Sequence, residues 1–154
     1  MAIRTLSICT GGAGLELALD IACPGLFRPV CYCECEAYAV ETLIDKIAAG
    51  CLPDAPVWDN VRTLCDAEVG RVVGRVDAIV GGYPCQPFSH AGRRDGADDP
   101  RHLWPAIREA IGVYQPGVCF FENVSGHLSL GAREVFGDLE SLDEQFQRQM
   151  ARVR

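Results

Sequence analysis

The segment Val76-Asp77-Ala78-Ile79-Val80, followed after one residue by Gly82-Tyr83-Pro84-Cys85-Gln86-Pro87-Phe88-Ser89, is an apolar run that ends in a proline-rich loop. A short continuous apolar run is typical of a strand that is buried on both faces. Pro84 fixes its own φ angle and biases Tyr83 toward extended backbone, so the loop is stiff. It would present Cys85 at the end of a buried strand, where a nucleophile is accessible. The alternative is a packed free cysteine, which usually behaves as a small hydrophobic residue.

A second apolar run, Val118-Cys119-Phe120-Phe121, ends in the polar segment Glu122-Asn123-Val124. If both runs are parallel strands of one sheet, their carboxyl ends lie at the same edge. The thiol of Cys85 and the carboxyl of Glu122 would then converge on one site. The second run therefore favours a nucleophile at position 85 over a packed thiol.

Apolar runs alternate along the chain with helix-like stretches, in which apolar residues recur every three or four positions. The predicted strands cover residues 5–9, 29–33, 76–80 and 118–121, and the predicted helices cover residues 15–21, 36–48, 103–113 and 132–142. Buried strands that alternate with amphipathic helices indicate a parallel sheet covered on both faces. The pattern predicts a doubly wound α/β fold.

Length and composition favour one domain, because 154 residues that are 49% hydrophobic suffice for one core and not for two. No run approaches the roughly twenty apolar residues of a membrane span. The first residues lack the pattern of an export signal, so we expect a cytoplasmic protein whose nine cysteines are reduced thiols.

The net charge of −7 argues against non-specific nucleic-acid binding, because phosphate neutralisation dominates that binding. A local basic rim beside the Cys85 loop could still form from Arg93, Arg94, Arg101 and Arg108.

Cys31, Cys33 and Cys35 alternate along the second predicted strand, so their sulfurs would share one face. Three sulfurs on one face suggest a metal site, but no Cys-x-x-Cys pair or following Cys/His pair completes a tetrahedral set. We therefore expect no metal and interpret these cysteines as a buried strand face.

A glycine-rich turn, Thr10-Gly11-Gly12-Ala13-Gly14, joins the first predicted strand to the first helix. Glycine allows close approach of a ligand to the backbone, and a helix N-terminus offers free amides and a positive dipole end. The spacing is not the dinucleotide fingerprint, so the turn alone leaves a purely geometric role open. Glu34 stands at the end of the second predicted strand, and Asp59 stands where the next strand should end. Together with the glycine turn, these acids indicate a nucleoside pocket.

These motifs together resemble the DNA cytosine-5 methyltransferases, which use S-adenosylmethionine. The resemblance follows the family's order of motifs from the first strand to about Leu142. It implies the Rossmann-like sheet of S-adenosylmethionine-dependent methyltransferases, incomplete at its C-terminal side. Ile8-Cys9-Thr10-Gly11-Gly12-Ala13-Gly14 is similar to the first motif, usually Phe-x-Gly-x-Gly-Gly, which holds the methionine part of the cofactor. Ala13 stands where glycine is usual, and the cofactor residues implied are Thr10, Gly11, Gly12 and Gly14.

Two further motifs resemble those that hold the adenosine part of the cofactor. In Glu34-Cys35-Glu36-Ala37-Tyr38-Ala39 the first acid would bind the ribose hydroxyls. Cys35 replaces the aromatic residue that often packs on adenine, so adenine stacking should be weaker. In Asp59-Asn60-Val61 the acid would accept a hydrogen bond from the adenine amino group. The remaining cofactor residues implied are Asn60, Pro84 and Leu103, the last within the His102-Leu103-Trp104 segment.

Pro84-Cys85-Gln86 and Glu122-Asn123-Val124 correspond to the family's most specific motifs. The resemblance implies that the Cys85 thiolate adds to carbon 6 of cytosine, which activates carbon 5 for methylation. A partly buried Glu122 would hold a proton against ring nitrogen 3. The partner would be double-stranded DNA with the target cytosine flipped out of the helix. The residues expected to support the substrate or the loop are Gln86, Ser89, Asn123 and Val124.

The resemblance stops before the family's later strands, its target-recognition domain and its final motif. It implies a partial catalytic domain over residues 1–142 and a polar tail over residues 143–154. The strand at 118–121 would then have a free apolar edge, so we expect marginal stability or a complementary polypeptide that supplies the missing half. The alternatives are a truncated fragment that binds only cofactor or protein, and a thiol hydrolase, for which no histidine-acid arrangement is apparent.

Overall fold

Five parallel strands form one sheet in the computed structural model, which describes residues 2–84, 103–124 and 132–153. The strands are β1 (Ile3–Ile8), β2 (Phe27–Cys33), β3 (Val57–Trp58), β4 (Ala78–Gly81) and β5 (Val118–Phe121). The helices are α1 (Gly14–Ala22), α2 (Ala37–Ala48), α3 (Ala67–Val73), α4 (Trp104–Tyr114) and α5 (Ala132–Val153), with a 3₁₀ turn at Val61–Thr63. The strand order β3-β2-β1-β4-β5 is that of a Rossmann-like sheet, so the predicted α/β class is confirmed.

The helices cover both faces of the sheet. Along β1, Leu6 and Ile8 belong to an apolar cluster that includes side chains of α3, α4 and α5. Tyr32 of β2 belongs to a second cluster with Leu43 of α2 and Leu52. Because successive side chains of a strand point to opposite faces, Leu6 and Ile8 face away from Thr5 and Ser7, which are also buried. The sheet is therefore doubly wound, as the sequence predicts.

Helix α3 is not among the predicted helices, and strand β3 was expected only through Asp59, which was predicted to stand where a strand ends. Helix α3 (Ala67–Val73) has seven residues, includes Gly70 and ends at Gly74, so it is too short for a clear helical period. Strand β3 has two residues, ends directly before Asp59 and, in the described part of the chain, pairs with the end of β2 alone. The helix predicted over 132–142 continues to Val153. Local pattern finds the long elements and misses the short ones.

The interpretation of three cysteines as one buried strand face is wrong for the third of them. Cys31 and Cys33 are buried at the end of β2, and burial raises the pKa of Cys31 to about 11. Cys35 lies beyond the strand and is exposed. The strand ends at Cys33 because the chain there turns toward α2, so the period of two stops before Cys35.

Strand β5 pairs only with β4 among the described residues, and it lies at one edge of the sheet. Val118 and Phe120 are each 51% exposed on one face of this strand, while Cys119 and Phe121 pack against the core on the other. The expected apolar edge is therefore present in the described part of the chain. None of the helices described is both long and apolar enough to cross a membrane.

Candidate functional site

The parallel strands bring several predicted site residues to one edge of the sheet. The glycine turn follows β1, Glu34 follows β2, Gly82 to Pro84 follow β4, and Glu122 follows β5. The order of strands changes direction between β1 and β4, and ligands of such sheets bind outside the carboxyl ends at this point. This edge is the candidate active site.

The turn between β1 and α1 has three residues in the left-handed region of backbone space. These are Cys9 (φ 53°), Gly11 (φ 54°) and Ala13 (φ 59°). The left-handed conformation costs a non-glycine residue about 1 kcal/mol or more. Ala13 is fully buried and its methyl group packs in the apolar cluster with Leu43 and Leu52, which helps to offset that strain. The turn therefore tolerates alanine where the resembling motif usually has glycine.

Glu34 is buried directly beside this turn. Its Oε2 atom accepts a hydrogen bond from the Gly11 N–H at 2.7 Å, and its Oε1 atom accepts bonds from the N–H groups of Cys35 and Glu36, each at 2.9 Å. The carboxylate thus ties the turn after β1 to the start of α2. The predicted meeting of the turn and the acid is present in the structure.

Glu34→Ala is expected to lower the free energy of unfolding by about 2–3 kcal/mol, because three backbone N–H groups lose their acceptor. Urea denaturation would measure this loss. Glu41→Ala is the matched control, since Glu41 is an exposed acid on α2, and its effect should stay within about 0.5 kcal/mol. Equal effects of the two substitutions would contradict the tie between the turn and α2.

The third acid is placed differently. Asp59 is exposed directly after β3. The neighbouring Asn60 uses its Oδ1 atom to accept the Arg62 N–H at 3.0 Å, which begins the 3₁₀ turn. Cys35, which comes after the glycine turn and before Asp59 in the sequence, is also exposed. The side-chain oxygen of Asn60 therefore has a structural use beside any role in binding.

The thiol of Cys9, just before the glycine turn, also lies near Glu34. Burial, followed by the charges of Glu34 and Cys35, raises the pKa of Cys9 to about 12. Cys9 is therefore protonated at neutral pH and does not compete as a nucleophile.

The start of the Cys85 loop is fixed at two points. The ring of Tyr83 is buried, with centroids 5.7 Å from those of Trp104 and Phe121. The carbonyl of Tyr83 accepts a hydrogen bond from Asn123 Nδ2 at 3.0 Å. Pro84 follows and is exposed. The predicted site residues Cys85, Gln86 and Ser89 lie outside the described residues.

Glu122 reaches the same loop from β5. Its N–H bonds the Gly81 carbonyl at 3.0 Å, and a Cβ atom added to Gly82 would lie 3.2 Å from Glu122 Oε2. The carboxyl therefore lies beside Gly82, which is three residues before Cys85 in the chain. The expected partial burial is wrong, because the Glu122 side chain is exposed. It stands at the end of the edge strand β5, which pairs on one side only in the described part of the chain.

Asn123→Ala is expected to loosen the Cys85 loop and lower the free energy of unfolding by about 1 kcal/mol, since it removes the donor to Tyr83. Asn123→Asp separates the two bonds of this side chain, because it keeps the oxygen that accepts the Val124 N–H and loses the donor. Both variants should show faster proteolysis near Pro84. Wild-type behaviour of Asn123→Asp would show that only the Val124 bond matters.

The other predicted residues lie in different surroundings. Leu103 is half-buried and packs against the core at the start of α4, and Val124 is 63% exposed. Of the expected basic rim, Arg108 places its Nε atom 3.0 Å from Asp138 Oδ1 on α5. The other three arginines, at positions 93, 94 and 101, lie outside the described residues.

Sequence reasoning missed two groups at this edge. One is the aromatic cluster of Tyr83, Trp104 and Phe121. The other is a buried polar group under α1, formed by Ser7, Thr10 and Glu16. The alternation of polar Thr5 and Ser7 with apolar residues along β1 was the available signal for the second group, because polar side chains on a central strand need partners.

Comparison with known proteins adds a family to this geometry. A family model for C-5 cytosine-specific DNA methylases matches residues 3–145. Type II methyltransferase M.NgoMIV of Neisseria gonorrhoeae is 32% identical over 128 residues, which are 83% of this chain and 38% of that protein.

Two further relatives cover similar shares. Type II methyltransferase M.PspPI of Psychrobacter sp. (strain TA137) is 32% identical over 79% of this chain and 27% of its own length. Type II methyltransferase M.NaeI of Lentzea aerocolonigenes is 31% identical over 80% of this chain and 28% of its own length. The chain thus spans less than two fifths of the length of these curated relatives.

Proposed function

Because the chain belongs to the C-5 cytosine-specific DNA methylase family, we propose that it provides catalytic residues for transfer of a methyl group from S-adenosylmethionine to carbon 5 of cytosine in DNA. The observation that carries the proposal is the placement of the glycine turn, Glu34, Glu122 and the start of the Pro84-Cys85-Gln86 loop at one sheet edge. The domain proposed for this role is residues 1–142, followed by a polar tail.

The turn fits S-adenosylmethionine in shape and in polarity. A Cβ atom added to Gly11 or Gly14 would meet no described atom within 4 Å, so the backbone is open to a ligand there. The first amides of α1 suit the carboxylate of the methionine part. Glu34 Oε2 accepts one N–H bond and has a lone pair left for a ribose hydroxyl. When bound, the cofactor supplies an electrophilic methyl group on a sulfonium.

The adenosine part would extend past Cys35 toward Asp59 and Asn60. Both Cys35 and Asp59 are exposed and can contact a ligand without loss of an existing bond in the described structure. A cysteine has no aromatic face, so it adds little stacking on adenine. We infer that affinity for the adenine ring rests more on hydrogen bonds than on stacking.

The chemistry assigns separate roles to Cys85 and Glu122. The Cys85 thiolate forms a bond to carbon 6 of the cytosine, and Glu122 holds a proton against ring nitrogen 3 to neutralise the charge that develops there. Carbon 5 then gains electron density and accepts the methyl group. Loss of the carbon 5 proton and departure of the thiolate restore the ring and the enzyme.

The proposed substrate is double-stranded DNA, with the target cytosine flipped out because carbon 6 is inaccessible in the stack. DNA and S-adenosylmethionine both occur inside cells, so a cytoplasmic location belongs to the proposal. Gln86 and Ser89 are proposed to support the flipped base, while Asn123 and Val124 support the loop.

A second candidate function is a fragment that binds cofactor or a complementary polypeptide and acts only with that partner. The favouring observation is the β5 edge, where Val118 and Phe120 are half exposed and one side of the strand is unpaired in the described residues. An exposed apolar edge strand pairs readily with another chain.

The direct test combines binding and product analysis. The purified chain is titrated with S-adenosylhomocysteine by calorimetry, then incubated with S-adenosylmethionine and enzymatically amplified, unmethylated genomic DNA. The proposal expects binding and 5-methylcytosine by mass spectrometry. Binding without product favours the partner-dependent fragment, and N4-methylcytosine or N6-methyladenine as the product would contradict the carbon 5 chemistry.

A further inference from the structure

Three polar side chains are buried between the sheet and α1, immediately below the glycine turn. Ser7 Oγ lies 2.5 Å from Glu16 Oε1 and 2.7 Å from Thr10 Oγ1. Thr10 Oγ1 in turn donates to the Cys33 carbonyl at 3.3 Å. Glu16 is 7% exposed, and its Oε2 atom has no hydrogen-bond partner in the described part of the chain. These contacts form a relay from α1 through β1 to the end of β2.

The number of protons available to this relay favours one protonation state of Glu16. The three contacts need three protons, and the Cys33 carbonyl can only accept. The hydroxyls of Ser7 and Thr10 carry one proton each. With an ionised Glu16, Ser7 donates to the carboxylate, and Thr10 can then serve either Ser7 or Cys33. One contact always lacks a proton, whereas a protonated Glu16 completes all three in one direction.

We propose that Glu16 is a positioning residue for the cofactor turn: as a neutral carboxylic acid it donates to Ser7 and completes a three-bond relay that fixes Thr10 against β2. The inference rests on the proposed cofactor site, because Thr10 begins the turn that would hold the methionine part. The neutral state of Glu16 and its coupling to the turn do not depend on that site.

The surroundings of Glu16 favour the neutral form. Burial raises the pKa of Glu16 above its ordinary value of 4.5, although the Ser7 bond and a hydrogen bond to the Glu16 backbone oppose the shift. An unpaired oxygen is less costly on a neutral acid than on a buried carboxylate. A cavity of about 20 Å³ beside Glu16 and Thr5 has room for one water molecule.

Other titratable or charged groups near Glu16 come from each element packed around it. Asp20 on α1 and Cys51 in the loop before β3 line the same small cavity as Glu16. Tyr32 on β2 interacts with both Glu16 and Asp54. Lys46 Nζ on α2 donates to the Gly12 carbonyl. The Glu16 pKa responds to burial and to hydrogen bonds rather than to these charges.

The direction of the pH dependence follows from the raised pKa. The relay is complete below pH 4.5, where Glu16 is protonated in both the folded and the unfolded chain. Its contribution is lost as the pH rises through the folded-state pKa, since ionisation removes the third proton. Glu16→Gln supplies an amide donor that does not titrate, so this variant should keep the relay at every pH.

The first test follows the turn by NMR without any ligand. In the wild-type chain the Glu16 carboxyl carbon is expected to titrate above the ordinary range, and the amides of Gly11 and Gly14 should shift at the same pH. In Glu16→Gln these amides should not shift. An ordinary titration of Glu16, or amides that ignore it, would overturn the proposal.

The second test measures affinity for S-adenosylhomocysteine. Glu16→Leu and Ser7→Ala should each weaken binding by about tenfold, Glu16→Gln should restore it, and the Ser7→Ala/Glu16→Leu double variant should lose no more than one single variant. Thr5→Val is the matched control, because Thr5 is also buried on β1 but its hydroxyl donates to the Ile3 carbonyl, outside the relay.

The outcomes separate the two proposals. Wild-type binding that Glu16→Leu leaves unchanged overturns the positioning role. Absence of binding in every variant, together with the expected NMR titration, overturns the cofactor site and keeps the relay. If Glu16→Leu does not fold, Glu16→Gln and the titration still decide.

Discussion

Cys85→Ser is expected to abolish covalent attachment of the protein to a DNA duplex that contains 5-fluorocytosine. In the proposed reaction the thiolate bonds carbon 6, and the enzyme is released only when the substituent on carbon 5 leaves as a proton. Fluorine cannot leave in this way, so the wild-type protein with S-adenosylmethionine remains attached. A serine hydroxyl is far less acidic than a thiol and does not form the bond at neutral pH.

The experiment is read by denaturing gel electrophoresis and by mass spectrometry of the attached peptide. Cys23→Ser is the matched control, because Cys23 is an exposed thiol after α1 and its loss should leave the adduct unchanged. Glu122→Gln should form the adduct about 10²-fold more slowly or worse, since a general acid contributes that much. An adduct in Cys85→Ser, or attachment at another cysteine, would contradict the assigned nucleophile.

If the chain transfers the methyl group only together with a complementary polypeptide, the adduct should form only after that polypeptide is added. The polypeptide would cover the β5 edge, where Val118 and Phe120 are apolar and accessible. The same polypeptide should raise the thermal midpoint, since anything that binds the folded state stabilises it. A raised midpoint without an adduct would favour the alternative of a truncated fragment that binds only cofactor or protein.

Much of the architecture could be predicted because buried parallel strands have a simple pattern. Residues 118–121 were predicted as a strand and form β5 with the same bounds. The meeting of Glu34 with the glycine turn also follows from parallel strands, whose carboxyl ends share one edge. Two-residue β3 and seven-residue α3 carry too little periodicity for such reasoning.

The side-chain environments could not be predicted in the same way, because they depend on neighbours that are distant in sequence. Glu122 was expected to be partly buried, yet it is exposed at the end of an edge strand. Glu16 is a polar residue in an amphipathic helix, a position that is usually solvated, yet it is buried with Ser7 on β1 as a hydrogen-bond partner. The direction of the Tyr83 ring is likewise set by Trp104 and Phe121.

Gly81→Ala is expected to have the largest effect on stability in the described part of the fold. A Cβ atom at this position would lie 2.3 Å from the Ile8 carbonyl oxygen, which belongs to the backbone of the central strand β1. Backbone cannot rotate away as a flexible side chain can, so β1 and β4 must separate at their carboxyl ends. We expect the free energy of unfolding to fall by about 3 kcal/mol or more.

Calorimetry should therefore show a thermal midpoint lower by about 10 °C. The variant should also bind S-adenosylhomocysteine more weakly, because Gly81 accepts the Glu122 N–H and directly precedes the Cys85 loop.

Gly70→Ala is the matched control: in the described structure a Cβ atom at this position of helix α3 would meet the Tyr114 hydroxyl alone, at 4.0 Å. Alanine should stabilise that helix by up to about 1 kcal/mol. The same chemical change thus has opposite signs at two glycines, and a Gly81→Ala protein as stable as wild type would show that β1 and β4 do not approach as closely as described.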